Sequence, residues 1–187
     1  HQARKLLDAP EGDTLKAKRD RAVLATLLYH ALRRDELSRL TIKDFRHQRR
    51  GVAHLKIHGK GGKTRYVPLH PAASGLIGDY LDAAGYGADD TGALFRPVRN
   101  NCTGVLDKAL TPDGVYRTES CAGIRRRWVS RLARHALRAT AATNALDHQA
   151  DIAKVQEWLD HANIATTRIY DHRKTRPEDS PTFKVAY

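Results

Sequence analysis

The stretch VAHLKIHGKGGKTRYVPLH, residues 52–70, decides the fold class, because the period of its apolar residues differs from that of the flanking sequence. Apolar and polar residues alternate on both sides of the glycine-rich segment GKGGK, residues 59–63. Alternation with a period of two predicts two β-strands, and the glycines between them predict a hairpin turn. Pro68 has no N–H to donate to a neighbouring strand, so the second strand is predicted to lie at the edge of the sheet.

The sequence on either side of this hairpin has the period of amphipathic helices. Leu24, Leu27, Leu28 and Ala31 fall at i, i+3, i+4 and i+7, which predicts a helix over about residues 16–32. Further helices are predicted to start near Asp35 and to cover residues 71–84, 135–146 and 151–159, with a last short helix that carries Tyr170 and has Thr166 or Thr167 near its start. The predicted fold is therefore mostly α with a small antiparallel β-sheet (α+β).

The remaining segments are less regular. Residues 85–117 are rich in Gly, Pro, Asp and Asn, which predicts a long connection with brief structure near Leu94 and Phe95. No linker-like run divides the sequence, so residues 1–187 are expected to form a single domain. Its last residues, about 175–187, are expected to be a tail that docks on its own domain or on a neighbouring copy.

The charge balance points to a class of partner. The chain has 33 Lys and Arg against 21 Asp and Glu, a formal net charge of +12. An excess of this size is typical of nucleic-acid binders, although another basic protein, or one that touches an anionic membrane, would share it. Aromatic residues make up only 6% of the chain, which argues against a single-strand binder built on stacked bases.

Other features exclude common classes of protein. Cys102 and Cys121 form no CxxC pair, so two reduced thiols are expected rather than a disulfide or a zinc site. His148, Asp160 and His161 lack the spacing of common zinc motifs, so no metal or other cofactor is expected. No apolar run reaches about 18 residues and no signal peptide opens the sequence, which favours a cytoplasmic protein without a membrane partner. The absence of methionine leads us to expect a longer natural chain.

Tyr170 stands in the basic stretch TTRIYDHRK, residues 166–174, and three roles are open to it. It could be a core aromatic, a platform on which a base stacks, or a nucleophile. A phenol has a pKa near 10, so at neutral pH it attacks only if other groups take up or stabilise its charge. The nucleophile hypothesis therefore requires cations and proton donors from elsewhere in the sequence.

Two arginines could bind an anion. His135 and Arg138 are spaced i, i+3, so on a helix they share a face, where a guanidinium can clamp phosphate oxygens and an imidazole can move a proton. Arg33 follows an apolar helix and has Glu36 at i+3, a carboxylate that could hold the guanidinium toward an anion. A solvated basic face, or a surface ion pair, would explain these patterns as well.

Lys60 and His161 are the other candidate cations. Lys60 lies in GKGGK, where glycines would let its ammonium group approach a phosphate closely, although a solvated turn is equally consistent and the P-loop spacing is absent. His161 precedes Tyr170 by nine residues, or about 13 Å along one straight helix. One shared site therefore requires a break, which Asn163 could provide by ending a helix before a threonine caps the next.

Taken in order, these fragments resemble the catalytic domain of the tyrosine recombinases, the phage integrase family. They are an arginine in ALRRDEL, a lysine in GKGGKTRYVPL, His-x-x-Arg in HALRATAAT, and a histidine in WLDHANIATTRIY, which ends at the tyrosine. Each motif is weak alone, but six residues of the right type in the right order between positions 33 and 170 form a strong match.

The resemblance implies a role for each residue. Arg33 and Arg138 would bind the scissile DNA phosphate, and Tyr170 would attack it to form a 3′-phosphotyrosyl link. The other implied roles are a general acid for Lys60, proton transfer at the tyrosine for His135, a hydrogen bond to the phosphate for His161, and support of Arg33 or His135 for Glu36. Lys63 and Arg65, two basic residues of the hairpin, are expected to contact the DNA backbone.

The implied activity is site-specific recombination or integration. The covalent intermediate keeps the phosphodiester energy, so neither ATP nor Mg²⁺ is expected. Expected partners are double-stranded DNA with a specific recombination site, three further copies in a homotetramer on DNA, and accessory DNA-bending proteins, whereas a monomer is expected without DNA. An N-terminal core-binding domain is expected upstream, and the location is expected to be the bacterial cytoplasm, at the nucleoid. The alternatives are a type IB topoisomerase and a catalytically silent DNA-binding module.

Several positions depart from the family pattern. Ala31 and Asp160 stand where the family usually has glycine, and Ala139 stands where it usually has His or Lys. The segment TESCAGIRRRWVSRLA, residues 118–133, fits poorly to the amphipathic helix and loop that the family has there. A DNA-facing adaptation would explain this segment, and so would a local reading-frame shift corrected before His135.

Overall fold

A computed structural model describes residues 2–99, 104–125 and 136–173 of the chain. The predicted site residue His135 and the predicted tail of residues 175–187 lie outside this described part. The chain divides into two compact units, His1–Ala141 and Ala142–Tyr187, and each is treated by itself below. The expectation of a single domain stays a prediction.

The first unit begins with four helices, α1 (Gln2–Leu7), α2 (Leu15–His30), α3 (Arg34–Ser38) and α4 (Ile42–Phe45). The hydroxyl of Thr14 caps α2 by accepting a hydrogen bond from the N–H of Ala17, at 3.2 Å. Ala31 ends α2 in the left-handed conformation, with φ 51° and ψ 36°. The helix predicted over residues 16–32 is therefore confirmed and ends before Arg33.

A three-stranded antiparallel sheet follows, in the order β1 (His47–Arg49), β2 (Val52–His58) and β3 (Thr64–Pro68). Leu55 pairs with Val67, and both are buried. A single 3-10 turn, Lys60–Gly62, joins β2 to β3, with Gly61 at φ 72° and Gly62 at φ 77°. The predicted hairpin and the edge position of Pro68 are confirmed.

Strand β1 was not predicted, because its three polar residues carry no apolar alternation. It is joined to β2 by Arg50 and Gly51, which have φ angles of 51° and 76°. Two successive residues with positive φ form the tight turn that suits a two-residue hairpin. Gly51 was the only sequence signal for this turn.

Helix α5 (Pro71–Ala84) covers the predicted range, ends at Gly85 and packs on α2. His30, the last residue of α2, is fully buried at the junction between β3 and α5. Its Nε2 accepts a hydrogen bond from the N–H of His70, and its Nδ1 donates to the carbonyl of Thr26, both at 3.0 Å. The ring is therefore neutral, and burial lowers the pKa of His30 to about 4.

The predicted connection of residues 85–117 is shorter than expected, because α6 (Pro112–Arg125) already starts at Pro112. The hydroxyl of Thr111 accepts from the N–H of Gly114 at 3.1 Å, so a capping threonine followed by proline was an overlooked start signal. Leu94 and Phe95 are buried in the connection, which confirms brief structure there.

Helix α7 (Ala136–Asp147) crosses from the first unit into the second, which continues with α8 (Ile152–Trp158) and α9 (Ile164–Arg168). Asp151 caps α8 as predicted. Asn163, rather than a threonine, caps α9 by accepting from the N–H of Ala165 at 2.8 Å. The predicted final helix was wrong in extent: Tyr170 lies in the turn after α9.

Candidate active site

Arg33 and Glu36 form the ion pair that their spacing suggested. Arg33 stands at the N-terminal end of α3, and its Nη1 donates to Oε1 of Glu36 at 2.9 Å. The backbone N–H of Arg33 donates to Oε2 at 2.8 Å. The Glu36 side chain is 3% exposed and that of Arg33 is 36% exposed. A buried carboxylate thus holds a guanidinium that still reaches solvent, whereas both groups of an isolated surface pair would be exposed.

Arg65 completes this cluster from the hairpin. Its Nη1 donates to Oε1 of Glu36 at 2.7 Å and its Nη2 donates to Oε2 at 3.0 Å. This bidentate geometry links β3 to α3, and the Arg65 side chain is only 17% exposed. Lys63, which was assigned the same DNA-backbone role, is exposed. Both DNA contacts stay predictions, but the two residues stand in different environments.

Glu36 is ionised in this cluster. Burial alone would raise the pKa of its carboxyl group, but the hydrogen bonds and charges of Arg65 and Arg33 outweigh burial, and the net pKa is lowered. The carboxylate therefore neutralises part of the positive charge of two guanidinium groups. It can hold both in place across the neutral pH range.

Arg34, the neighbour of Arg33, is committed elsewhere. Its Nε and Nη2 donate to Oε2 of Glu119 on α6 at 2.8 and 2.5 Å, and its guanidinium lies over the ring of Tyr116 at 4.7 Å. Glu119 and Thr118 are both buried. The poorly fitting segment thus begins with two residues that are buried in the fold, and Arg33, rather than Arg34, is the better candidate for an anion ligand.

Arg138 lies on the first turn of α7 and is 5% exposed. Its Nη1 donates a hydrogen bond to the backbone carbonyl of Ala31. Ala31 precedes Arg33 by two residues, so Arg138 contacts the backbone of the segment that leads into Arg33. Residues 107 positions apart in the chain thus meet at one place.

Lys60 is exposed at the tip of the hairpin, within the 3-10 turn. The N–H of Gly59 donates to the carbonyl of Lys63 at 2.7 Å and closes the base of this tip. The structure therefore presents the Lys60 ammonium group to solvent on a closed loop. This placement agrees with either role left open by the sequence, a phosphate contact or a solvated turn.

In the second unit the chain breaks between α8 and α9, as the pairing of His161 with Tyr170 requires. The ring centroids of these two residues are 6.3 Å apart, against about 13 Å on a continuous helix. Nδ1 of His161 shares a 2.9 Å hydrogen bond with the hydroxyl of Thr167, which is fully buried. The carbonyl of His161 accepts from the side chain of Gln156 at 3.0 Å.

Asp160 makes the break possible. It follows α8 with φ 52°, a left-handed conformation that glycine adopts more readily than aspartate. The same conformation occurs at Ala31, so both described positions where the family usually has glycine are left-handed helix ends. At each of them a non-glycine residue accepts backbone strain next to a candidate site residue.

Sequence reasoning missed two partners in the site. Thr167 was considered only as a possible cap, although a threonine six residues after a histidine can face it across a helix start. The contact between Arg65 and Glu36 had no signal in the sequence, because it depends on how β3 packs against α3. Among the described residues, no group of three or more His, Cys, Asp and Glu side chains could hold a metal ion, and no helix is long and apolar enough to cross a membrane.

Residues 1–176 match the Phage integrase family, which covers every element described above. The chain belongs to the phage integrase family. Its relatives within that family include the tyrosine recombinase XerC of Corynebacterium efficiens, 36% identical over 172 residues, which are 91% of this chain and 52% of the relative. XerC of Salmonella typhi is 36% identical over 168 residues, covering 90% of this chain and 52% of the relative. The chain thus spans about half the length of these relatives.

Solved structures of recombinases have the same fold as this integrase-family chain. XerA recombinase superposes with a TM-score of 0.73 at 28% identity, over 92% of this chain and 59% of that one. XerH recombinase bound to its difH substrate superposes with a TM-score of 0.69 at 27% identity, over 91% of this chain and 48% of that one. These likenesses confirm the predicted mostly helical fold with a small antiparallel sheet.

Proposed function

We propose that this chain is the catalytic part of a site-specific tyrosine recombinase that cleaves and rejoins double-stranded DNA. The observation that carries the proposal is the hydrogen bond from Arg138 to the carbonyl of Ala31, two residues before Arg33. Two guanidinium groups at one place form a strong binding site for a phosphodiester. XerH recombinase, a structural relative, has been solved bound to difH substrate before cleavage and to palindromic difH substrate after cleavage, which supports DNA as the substrate.

In the proposed reaction Tyr170 is the nucleophile. Its Oη attacks the scissile phosphorus, the bond from phosphorus to the 5′ oxygen breaks, and the DNA 3′ end becomes linked to the tyrosine. Lys60 gives a proton to the departing 5′ oxygen, and His135 takes the proton of the phenol. Rejoining is the same sequence in reverse, with a 5′-hydroxyl as the nucleophile.

Arg33 and Arg138 stabilise the transition state of this step. Displacement at a phosphodiester requires in-line positioning and neutralisation of the charge on the non-bridging oxygens. Fixed guanidinium groups supply that charge without reorganising during the reaction. Glu36 keeps Arg33 in place, and Arg138 is held by the carbonyl of Ala31.

His161 and Tyr170 act from the second unit. The hydrogen bond with Thr167 fixes the imidazole from its Nδ1 side. In the proposed reaction His161 donates a hydrogen bond to the phosphate while Tyr170 attacks it. The short separation of the two rings suits a shared phosphate.

The proposed partners follow from the proposed reaction. The substrate is a duplex with a specific recombination site, and the net charge of +12 supports binding to its phosphates. Strand exchange between two sites requires four active subunits, so a homotetramer forms on DNA from monomers. Accessory DNA-bending proteins and the bacterial nucleoid complete the proposed setting.

A nicked suicide duplex tests the proposal, because loss of a short fragment beside the cleavage site prevents rejoining and traps the covalent product. The full-length protein should form a denaturation-resistant protein–DNA complex, and Tyr170→Phe should form none. Tyr116→Phe is the matched control, since Tyr116 is an exposed tyrosine on α6. DNA binding without any covalent product in the wild type would favour the silent binding module instead.

A further inference from the structure

The hairpin and helix α3 are joined by one buried carboxylate. Glu36, 3% exposed, receives three side-chain hydrogen bonds from two arginines and a fourth hydrogen bond from the N–H of Arg33. Arg65 supplies two of them as a bidentate fork. The carboxylate is thus shared between the arginine that faces the proposed phosphate and an arginine on the strand that follows Lys60.

Arg33 and Arg65 differ in exposure, which indicates that Arg33 can reach a phosphate and that Arg65 acts inside the protein. The Arg33 side chain is 36% exposed and the Arg65 side chain is 17% exposed. Each of the two Nη atoms of Arg65 donates one N–H to Glu36, so this bidentate edge of the guanidinium is not open to a phosphate. Its Nε is buried without a hydrogen-bond partner in the described part of the chain. Arg65 is therefore engaged inside the protein, unlike the exposed Lys63.

Removing Arg65 would leave Glu36 with an unbalanced buried charge. Its two oxygens would lose half of their hydrogen bonds, and Arg33 would be the cation left in contact with them. A buried carboxylate in that position either draws the remaining guanidinium closer or takes up a proton. Both outcomes move Arg33 from the position in which Glu36 now holds it.

We propose that Arg65 is a positioning residue for DNA cleavage, acting on Arg33 through Glu36. The inference rests on the proposed function of the chain. It replaces a direct contact between Arg65 and the DNA backbone by an indirect action on the scissile phosphate. It also gives the hairpin that carries Lys60 a fixed attachment to the helix that begins after Arg33.

The decisive measurements are the DNA dissociation constant, its salt dependence and the single-turnover cleavage rate on a saturating nicked duplex. In Arg65→Gln of the full-length protein, the dissociation constant and the salt slope should stay within twofold of wild type. The cleavage rate should fall between about tenfold and a hundredfold, the loss expected from a misplaced catalytic group. A slope reduced by about one with an unchanged cleavage rate is the signature of a phosphate contact and would overturn the proposal.

Two further variants show whether the loss is specific. Arg46→Gln is the matched control, because Arg46 is also an arginine on this unit but pairs with the exposed Asp90. Its cleavage rate should stay within twofold of wild type. Arg65→Lys keeps the charge but cannot form the bidentate fork, so its cleavage rate should still fall about tenfold. A wild-type rate in Arg65→Lys would contradict positioning by the fork.

A double-mutant cycle identifies the route of the effect and guards against simple misfolding. If Arg65 acts through Glu36, Arg65→Gln and Glu36→Gln together should lose little more than the larger single loss. If the reductions in cleavage rate of the two single variants multiply in the double variant, Arg65 does not act through Glu36. If wild type forms a covalent product and Arg65→Gln cleaves at the same rate, the inference alone fails. If wild type forms no covalent product, the proposed function fails and the inference with it.

Discussion

Arg138 donates a hydrogen bond to the backbone carbonyl of Ala31, the residue whose left-handed conformation ends helix α2. The direction of that carbonyl depends on the φ and ψ angles of Ala31. The position of one candidate catalytic arginine is therefore set by the backbone two residues before the other. A substitution at Ala31 should therefore alter the position of Arg138, although Ala31 is not itself a candidate catalytic residue.

Ala31→Val should destabilise the protein. A β-branched residue at φ 51° is strained, and because Ala31 is fully buried, two added methyl groups would overpack the site. The free energy of unfolding should therefore fall by about 2 kcal/mol or more. Ala31→Gly should be at least as stable as wild type, since relief of about 1–2 kcal/mol of left-handed strain exceeds the roughly 0.8 kcal/mol of a lost buried methyl group. Urea unfolding of the two variants measures both effects, and a valine variant as stable as wild type would contradict them.

The stability of the protein should fall between pH 6.5 and pH 4 because of His30. Its pKa is about 4 in the folded chain against about 6.5 in a free histidine, so in this range the unfolded chain binds a proton that the folded chain does not. The stabilisation is complete above pH 6.5 and is lost as the pH falls, by about 3 kcal/mol in total at 1.36 kcal/mol per pKa unit. Denaturant unfolding across this range measures the loss.

The control for this pH dependence is His30→Gln, whose side chain does not titrate. The slope of unfolding free energy against pH should be smaller in this variant between pH 6.5 and pH 4. Glu36, whose lowered pKa makes a separate contribution, affects stability only below about pH 4.5, where the unfolded carboxylate takes up its proton. An unchanged slope in His30→Gln would assign the pH dependence to other groups.

Thr167→Val should slow cleavage more than it affects folding. Valine keeps the shape of this fully buried threonine but removes the hydroxyl that contacts Nδ1 of His161. The loss of one hydrogen bond costs about 1 kcal/mol of stability, whereas an imidazole that has lost this orienting contact should reduce the single-turnover rate about tenfold. Thr166→Val, an exposed site on the same helix, is the control. Equal cleavage rates in both variants would show that Thr167 does not orient His161.

Glu119→Gln should destabilise the protein by about 3 kcal/mol, because it leaves the mostly buried guanidinium of Arg34 without a counter-charge. Burial raises the pKa of Glu119 in spite of Arg34, so the pair itself contributes little net stability. Replacing Arg34 and Glu119 together by methionine should therefore cost less than the single change. Thermal unfolding of the two variants decides, and a double variant that is at least as destabilised as Glu119→Gln would contradict the prediction.

Much of this fold was predictable because most of its helices and strands have a recognisable local sequence pattern. The alternation of apolar and polar residues on both sides of the glycines predicted the hairpin, and the helical spacing of apolar residues predicted α2. Strand β1 could not be predicted from three polar residues, since its only support is pairing with β2. The end of α9 before Tyr170 was missed because the capping role of Asn163 was assigned to a threonine.

The candidate site residues were chosen by residue type, and only part of their geometry could be predicted. The break between His161 and Tyr170 followed from the distance that one helix would impose. The contacts of Arg65 with Glu36, and of Arg138 with Ala31, join residues 29 and 107 positions apart, so they depend on tertiary packing that no local pattern encodes. His135 lies outside the described residues, and its role stays a prediction.

The hydrogen bonds between Arg65 and Glu36 attach β3 to α3, so the tip of the hairpin can move only by rotating about this attachment. Lys60 is five residues from Arg65, at most about 16 Å along an extended strand. A rotation of the hairpin by about 10° about Arg65 displaces the ammonium group of Lys60 by up to about 3 Å. That displacement is as long as the hydrogen bond through which a general acid acts. The ion pair between Arg65 and Glu36 is therefore expected to influence the distance between Lys60, the proposed proton donor, and the leaving oxygen.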